Sequence, residues 1–418
     1  MNRMKIGEVI NPELAKYGKP LEGVRILAIE QMQALPFATQ LLARLGADVV
    51  KVEHPVEGES GRGAQPAMID PNGKRAGATF LRNALDKRSL GVDLKHPKGR
   101  ELVLALAPHF DIVCENFKAG TAKRLGVDYE AIRAVHPTVI YLSVSGFGNL
   151  IESPYRDWPA YALVGEAMSG LYDYNRRGQD VPPNVGPAGP LGDVGTAMFA
   201  AVGVLSALRH RDRTGEGQYV DVSMFDSMVA LMDIVTNFWS MGMRPSSERN
   251  LISTGFRCKD GWFVFQVGRE HQFERLAKLI GKEEWLDDPR FATRTGWGEH
   301  LDTVIRPAVE TWAADKTKLQ AAQAMGEAGI ASGPCFTAPE VIADPHVRAH
   351  NMLVEMEHTD DVPEPIIIPG NPIKMSKVAE GPERRVPWIG EHTEDVLRDD
   401  LGLDDEEIGK LRAEGVIN

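Results

Sequence analysis

From Leu21 onward, short runs of β-branched and aliphatic residues alternate with segments of helical periodicity. Val24 to Ile29 reads as a strand, Phe37 to Leu45 as an amphipathic helix closed by Gly46, and Asp48 to Glu53 as a second strand. A polar, glycine-rich excursion from Gly58 to Gly77 precedes a third strand, Arg88 to Asp93. Pro97 opens a helix that runs to Leu106, because proline is tolerated in a first turn, and Pro108 lies just past its end. Asp111 to Glu115 and Thr138 to Val144 supply further strands. Strands separated by helices predict a parallel, doubly wound α/β sheet, in which ligands collect at the carboxyl ends of the strands.

From Gly192 to Val235 the pattern is mostly helical, interrupted by the turn Thr214-Gly215-Glu216-Gly217 and a short strand, Tyr219 to Val222. The polar stretch Ser246 to Asn250 reads as a linker. Beyond it, Gly255–Cys258 and Trp262–Val267 flank Lys259-Asp260-Gly261, which predicts a hairpin because Asp-Gly suits a primed turn. Helical periodicity then dominates to about Met325, and from Asn351 the chain is proline-rich, ending in two short helices around Val396 and Ile408. The expected organisation is a large domain starting with residues 1–225, a smaller α+β domain over 250–344, and a C-terminal part, 360–418, that returns to the large domain.

Composition narrows the partners. Lys plus Arg total 47 against 59 Asp plus Glu, a formal charge of −12 that argues against a general nucleic-acid binder. A few local cations still suffice to hold a phosphate. Cys114, Cys258 and Cys335 form no CxxC pair, so neither a disulfide framework nor a zinc site is suggested, and a reducing cytoplasm fits. Met1 to Pro20 lacks a continuous apolar stretch of signal type, and no run approaches the roughly 20 apolar residues that span a bilayer. A soluble cytoplasmic protein without a membrane partner is expected.

Several common chemistries lack their motifs. The turn after the first strand reads Glu30-Gln31-Met32-Gln33-Ala34, with no GxGxxG, and Asn72-Gly73-Lys74 lacks the upstream glycine of a phosphate-binding loop. No GxSxG elbow is present. His346 and His350 share helical spacing but lack the glutamate and third ligand of a metal site, so they read as solvated histidines. Asp193, in Gly192-Asp193-Val194-Gly195 ahead of an apolar helix from Thr196 to Leu208, reads locally as an N-cap. A carboxylate between glycines is also accessible to a ligand, with backbone N–H groups beside it for an oxyanion, and can attack an activated acyl group. Both readings can hold together. Lys87, Arg88, Lys95, Lys118 and Arg124 fall near predicted strand ends, where solvated charge and phosphate binding are the alternatives.

Taken in order, the segments resemble the family III CoA-transferases, the formyl-CoA/carnitine (CaiB/BaiF) type, from about Leu21 to the C-terminus. The resemblance rests on Leu45 to Glu53, Lys87-Arg88-Ser89-Leu90 with Asp93-Leu94-Lys95, Glu115-Asn116-Phe117, and Ser145-Gly146-Phe147-Gly148. It continues through Leu191-Gly192-Asp193, Gly215-Glu216-Gly217-Gln218, Pro369 to Lys374 and Gly390-Glu391-His392-Thr393. It implies a Rossmann-like large domain and an interlocked homodimer. It places Asp193 on the nucleophile that attacks the donor thioester, and Gln33 with Ala34 beside the acyl group. It places Val92, Asp93, Leu94 and Lys95, then Asn116, Phe117, Lys118 and Arg124, on coenzyme A-binding segments, and Tyr161 on a site-lining segment. Two positions depart from the family. His54 stands where arginine is common among the CoA contacts, and Ala162 stands where an acidic residue is usual, with Glu166 one turn on. The glycine-rich run that closes over formyl-CoA transferase sites is not apparent after Ser246, which disfavours formate and oxalate.

The activity so implied is acyl-CoA:carboxylate CoA transfer through an aspartyl-CoA thioester. Coenzyme A and acyl-CoA act as substrates, with no tightly bound cofactor and no metal. The alternatives are a 2-methylacyl-CoA racemase, whose histidine is missing from Ala160-Tyr161-Ala162, and a non-catalytic CoA-binding subunit.

Overall fold

Alternate residues of a strand point to opposite faces, and in β1 (Arg25–Ile29) both faces are buried. Ile26 and Ala28 join one core cluster, Leu27 and Ile29 another. That double burial is why the strand reads as a continuous apolar run. The same holds for β2 (Asp48–Glu53), β3 (Lys87–Gly91), β4 (Ile112–Glu115) and β5 (Ile140–Ser145). With β6 (Gln218–Ser223) they form one six-stranded parallel sheet in the order β3-β2-β1-β4-β5-β6. The computed structural model describes residues 3–174, 182, 184–186, 189–244 and 250–418; the linker expected at Ser246 to Asn250 lies outside them except for Asn250.

Helices cover both faces. On one, α1 (Ala34–Arg44) packs on α2 (Leu191–Thr214) through Ala34, Leu35, Ala38 and Leu42 against Ala197, Ala200, Val204 and Ala207. On the other lie the helix Pro97–Leu106 and the two C-terminal helices, through Val103, Leu106, Val396, Leu397 and Ile408. The chain order reverses between β1 and β4, so a crevice opens at their carboxyl ends, where Ile29 pairs with Glu115.

Two compact units divide the chain, Met1–Met241 with Pro345–Asn418, and Gly242–Asp344. The second holds an antiparallel sheet of β7 (Ile252–Cys258), β8 (Gly261–Val267) and β9 (Ala331–Pro334) over its own core. Its hairpin exists, but the turn is not primed. Cys258 pairs with Gly261, and neither Lys259 nor Asp260 has a positive φ. Asp260 instead spends its carboxylate on the Lys318 N–H at 2.7 Å.

Three sequence expectations need correction around α2. The helix begins at Leu191, not Thr196, so Asp193 lies inside its first turn and Pro190 occupies the N-cap. Pro190 has no side-chain acceptor to cap with, and the Gly192 N–H goes instead to the Glu166 carboxylate. At 24 residues α2 is also long and apolar enough to cross a membrane, contrary to the reading of the bare sequence, and half of its most apolar stretch is buried here. Met198, Val202 and Leu205 stay exposed on the face turned away from α1.

The helix ends on two glycines with different duties. Gly215 takes φ 77° and returns its N–H to Arg211 O, a left-handed cap. At Gly217 the obstacle is space, since an added Cβ would sit 2.2 Å from Val139 O. We therefore expect Gly217→Ala to cost about 3 kcal/mol, because a backbone atom cannot yield, and Gly215→Ala about 1 kcal/mol. Urea unfolding midpoints of the two variants test the difference; equal costs would contradict it.

Candidate active site

The site grows from the turn between β1 and α1. Glu30 ends the strand with its side chain fully out of water. Its carboxylate accepts from Lys87 Nζ at 2.6 Å and from the Thr39 hydroxyl at 2.6 Å. Lys87 gives its other two protons to Pro36 O and Thr39 Oγ1 at 2.9 and 2.7 Å, and Lys51 Nζ donates to Glu30 O at 2.9 Å. Burial alone raises the Glu30 carboxyl, but the two ammonium groups outweigh it and hold the group below the usual range. Burial likewise drags Lys87 down to about 8 even beside Glu30. Of the two readings left open for Lys87 and Arg88, solvated charge and phosphate binding, neither describes what the structure does with them. Lys87 is buried under the turn, and Arg88 grips Asp48 on β2 with Nε 2.9 Å from Oδ1.

Beyond Glu30 the backbone is held from outside. Asn116, just past β4, accepts the Gln31 N–H and donates to Gln31 O, both at 2.9 Å. Met32 adopts a left-handed φ of 63°, unusual for its type, and its N–H is fixed by the Glu59 carboxylate at 2.8 Å. Gln33 then starts α1 without any side-chain cap, which leaves first-turn N–H groups for an oxyanion. The Gln33 amide nitrogen is buried and unpaired, a donor for an incoming oxygen.

Two cavities share Gln31 and Phe117 as a common wall. The smaller, about 290 Å³, is lined by Ile29, Val52, His54 and the whole Val92-Asp93-Leu94-Lys95 segment. That segment is tied to the returning C-terminus, with the Asp93 N–H on Val416 O at 2.9 Å. His54 Nδ1 accepts the Val56 and Glu57 N–H groups at 3.3 and 3.2 Å, which leaves the Nε2 edge to face a ligand. The larger cavity, about 480 Å³, gathers Gln33, Ala34, Asn116, Lys118, Tyr161 and Asp193. Of the residues expected at a site, only Arg124 lines neither cavity; its guanidinium turns back to Thr121 Oγ1 at 2.7 Å, while the adjacent Leu125 lines the smaller one. A further cavity at the amino edge of the sheet carries Arg211, already spent on Asp111 at 2.6 Å.

Asp193 is pushed up to about 6, first by burial and then by the Glu166 carboxylate. Glu166 itself is buried, accepting the Gly192 N–H at 2.9 Å and the Tyr172 hydroxyl. The N–H groups beside Asp193 are thus not the oxyanion donors that the sequence suggested. Gly192 gives to Glu166 and Val194 to Pro190 O, so the open donors belong to α1 across the cavity. Among the described residues no group of three or more metal-ligating side chains occurs.

Comparison with known proteins places the chain in a family. Residues 21–393 match the family described as CoA-transferase family III. The chain belongs to that family. It is 33% identical over 413 residues to the succinyl-CoA–D-citramalate CoA-transferase of Chloroflexus aurantiacus, covering 96% of this chain and 98% of that one. It is 34% identical over 395 residues to the succinyl-CoA:mesaconate CoA-transferase of Haloarcula hispanica, covering 92% and 96%. The crystal structure of a CaiB/BaiF family protein from Brucella suis is similar at a TM-score of 0.79 and 29% identity, over 91% of this chain and 99% of that one.

Around the site of this family III CoA-transferase stand residues to which sequence reasoning gave no role. Glu59 pins Met32, and Glu115, pushed up to about 7 by burial, orients Phe117 through its N–H at 2.7 Å. Arg156 and Trp158 line the larger cavity. Glu115 was visible as part of a motif, whereas Glu59 sits in a polar stretch with no pattern to mark it. The buried charges give a direct test of the floor of the site. Lys87→Met leaves Glu30 poorly paired and should cost about 3–5 kcal/mol, while adding Glu30→Gln should recover at least half of that. Chemical denaturation of the single and double variants measures it, and a double variant no better than the single would contradict the pairing.

Proposed function

We propose that this CoA-transferase moves CoA from an acyl-CoA donor to a free carboxylic acid through covalent steps on Asp193. The observation that carries the reading is the placement of an ionisable, poorly compensated carboxylate in a cavity that adjoins the groove of Val92 to Lys95 through Gln31 and Phe117. The pantetheine thiol end enters the larger cavity, and the nucleotide end lies toward His54 and Lys95.

The Asp193 carboxylate attacks the thioester carbonyl, the C–S bond breaks, and CoA leaves as thiolate from a mixed anhydride. The thiolate then attacks the Asp193 carbonyl carbon of that anhydride, which releases the donor acid and leaves an aspartyl-CoA thioester. The acceptor carboxylate attacks this thioester, again expelling thiolate, to give a second anhydride. Attack of the thiolate on the acceptor's acyl carbon forms the new acyl-CoA and frees Asp193. Each tetrahedral intermediate develops negative charge on oxygen, for which the first turn of α1 and the Gln33 amide supply donors. No proton moves in the sequence, which is consistent with a cavity that, among the described residues, no histidine lines. Abstraction of an α-proton would need an acid–base pair there.

Asp193→Asn should fold normally and lose transfer by at least about 10³-fold. In the wild type, hydroxylamine should trap the aspartyl thioester only after exposure to acyl-CoA. Because burial raises Asp193 and only the ionised form attacks, kcat/KM should fall as pH drops through about 6. An Asn variant with near-normal turnover would remove Asp193 from the chemistry.

We further propose that the protein works as an interlocked homodimer. Support comes from the exposed stripe of Met198, Val202 and Leu205 on α2, with Val229 and Leu231 nearby in sequence after β6, more apolar surface than a lone chain normally leaves in water. Chains threaded through each other separate only by unfolding, so the native mass should stay that of a dimer on dilution. A folded monomer in dilute sedimentation runs would contradict this.

A further inference from the structure

Among the described residues, three charged side chains line the larger cavity: Asp193, Lys118 and Arg156. Lys118 follows Phe117, which belongs to both cavities, so this cation stands on the CoA side. Arg156 comes from the connection after β5, on a wall with Trp158 and Tyr161 that the CoA groove does not share. Among the described residues its guanidinium has neither a hydrogen bond nor an ion pair. Its place in the chain is nonetheless fixed. Tyr155 and Trp158, on either side of it, pack together with centroids 4.9 Å apart, and both pack on Phe147 at 5.6 and 6.5 Å.

An unpaired guanidinium on the acyl wall is chemically specific. Its planar fork matches a carboxylate with two parallel hydrogen bonds, a geometry that neither a thioester nor an alkyl end can use. The cavity also faces an electrostatic difficulty. Every acceptor arrives as an anion at the uncharged aspartyl thioester, and a dicarboxylic acid brings a second negative charge into a cavity whose Asp193 already feels the Glu166 carboxylate, on a chain of net charge −12. A cation on a wall that the CoA groove does not share offsets that second charge. We propose that the acyl cavity selects dicarboxylic acids, with Arg156 binding the carboxylate that is not transferred. The inference rests on the transferase reading above and adds the substrate class and the residue that sets it.

The test compares donors of equal chain length that differ only at the far end, succinyl-CoA against butyryl-CoA and glutaryl-CoA against valeryl-CoA. Arg156 is solvent-exposed, so for the R156Q variant kcat/KM with the dicarboxylic donors should fall by about 10-fold as the end carboxylate loses its two-pronged partner, while the monocarboxylic donors stay within about 3-fold. R156K should recover part of the loss, since it keeps the charge without the fork. Equal losses on both donor classes, or none on either, would overturn the inference and leave CoA transfer intact. Calorimetric titration of free glutarate into the wild type and R156Q separates the two readings. Arg156-dependent glutarate binding by a protein that moves no CoA would overturn the transferase reading and leave the dicarboxylate site standing.

Discussion

Glu30 leaves water at the end of β1, and a buried carboxylate is tolerated only when cations follow it in. Lys87 comes from β3 and Lys51 from β2, so the three strands on that half of the sheet meet in one charge cluster beneath the crevice. Thr39 and Pro36 draw the first turn of α1 into the same cluster. With the floor fixed in this way, the chain emerging from it has little freedom. Gln31 is clamped by Asn116 and Met32 is held in a left-handed conformation by Glu59. The position of Gln33 and of the open end of α1 follows from those anchors.

Asp193 shows the opposite treatment of the same functional group. Glu30 is surrounded by ammonium groups and kept ionised, whereas Asp193 has no cationic partner among the described residues, sits near a second carboxylate, and is pushed up to about 6. A carboxylate with raised basicity remains ionised at neutral pH and is a better nucleophile than an exposed one. The fold leaves an unfavourable charge at the place where the proposed chemistry needs it and neutralises charge where it needs rigidity. Glu166 links the two demands, capping α2 through Gly192 while its charge acts on Asp193.

The site was legible mainly where backbone chemistry leaves a trace in order and spacing. Gln33, Asn116, Phe117 and Asp193 lie at strand ends or in glycine-flanked turns, and the doubly wound pattern brings such ends to one edge. The cations were not separable in this way. Lys87, Lys95 and Lys118 look alike in the chain, yet Lys87 is sealed under Glu30 while the other two line cavities. Arg124 sits beside a lining residue and turns away to Thr121. Arg156 was overlooked because nothing local distinguishes it from a solvated arginine.

By itself the sequence determined the alternation of buried strands and covering helices, because burial on both faces writes itself as apolar runs of the right length. It determined the hairpin of the second unit and Gly215 at the end of α2, because each answers to neighbours a few residues away, whereas Gly217 answers to Val139 on a distant strand. Only the tertiary structure decided where α2 begins, since its cap comes from Glu166, 26 positions earlier in the chain. Only the tertiary structure decided which charges are structural and which face a ligand. A side chain's ionisation and partners depend on the groups packed around it, and those groups are supplied by strands and helices far from it in sequence.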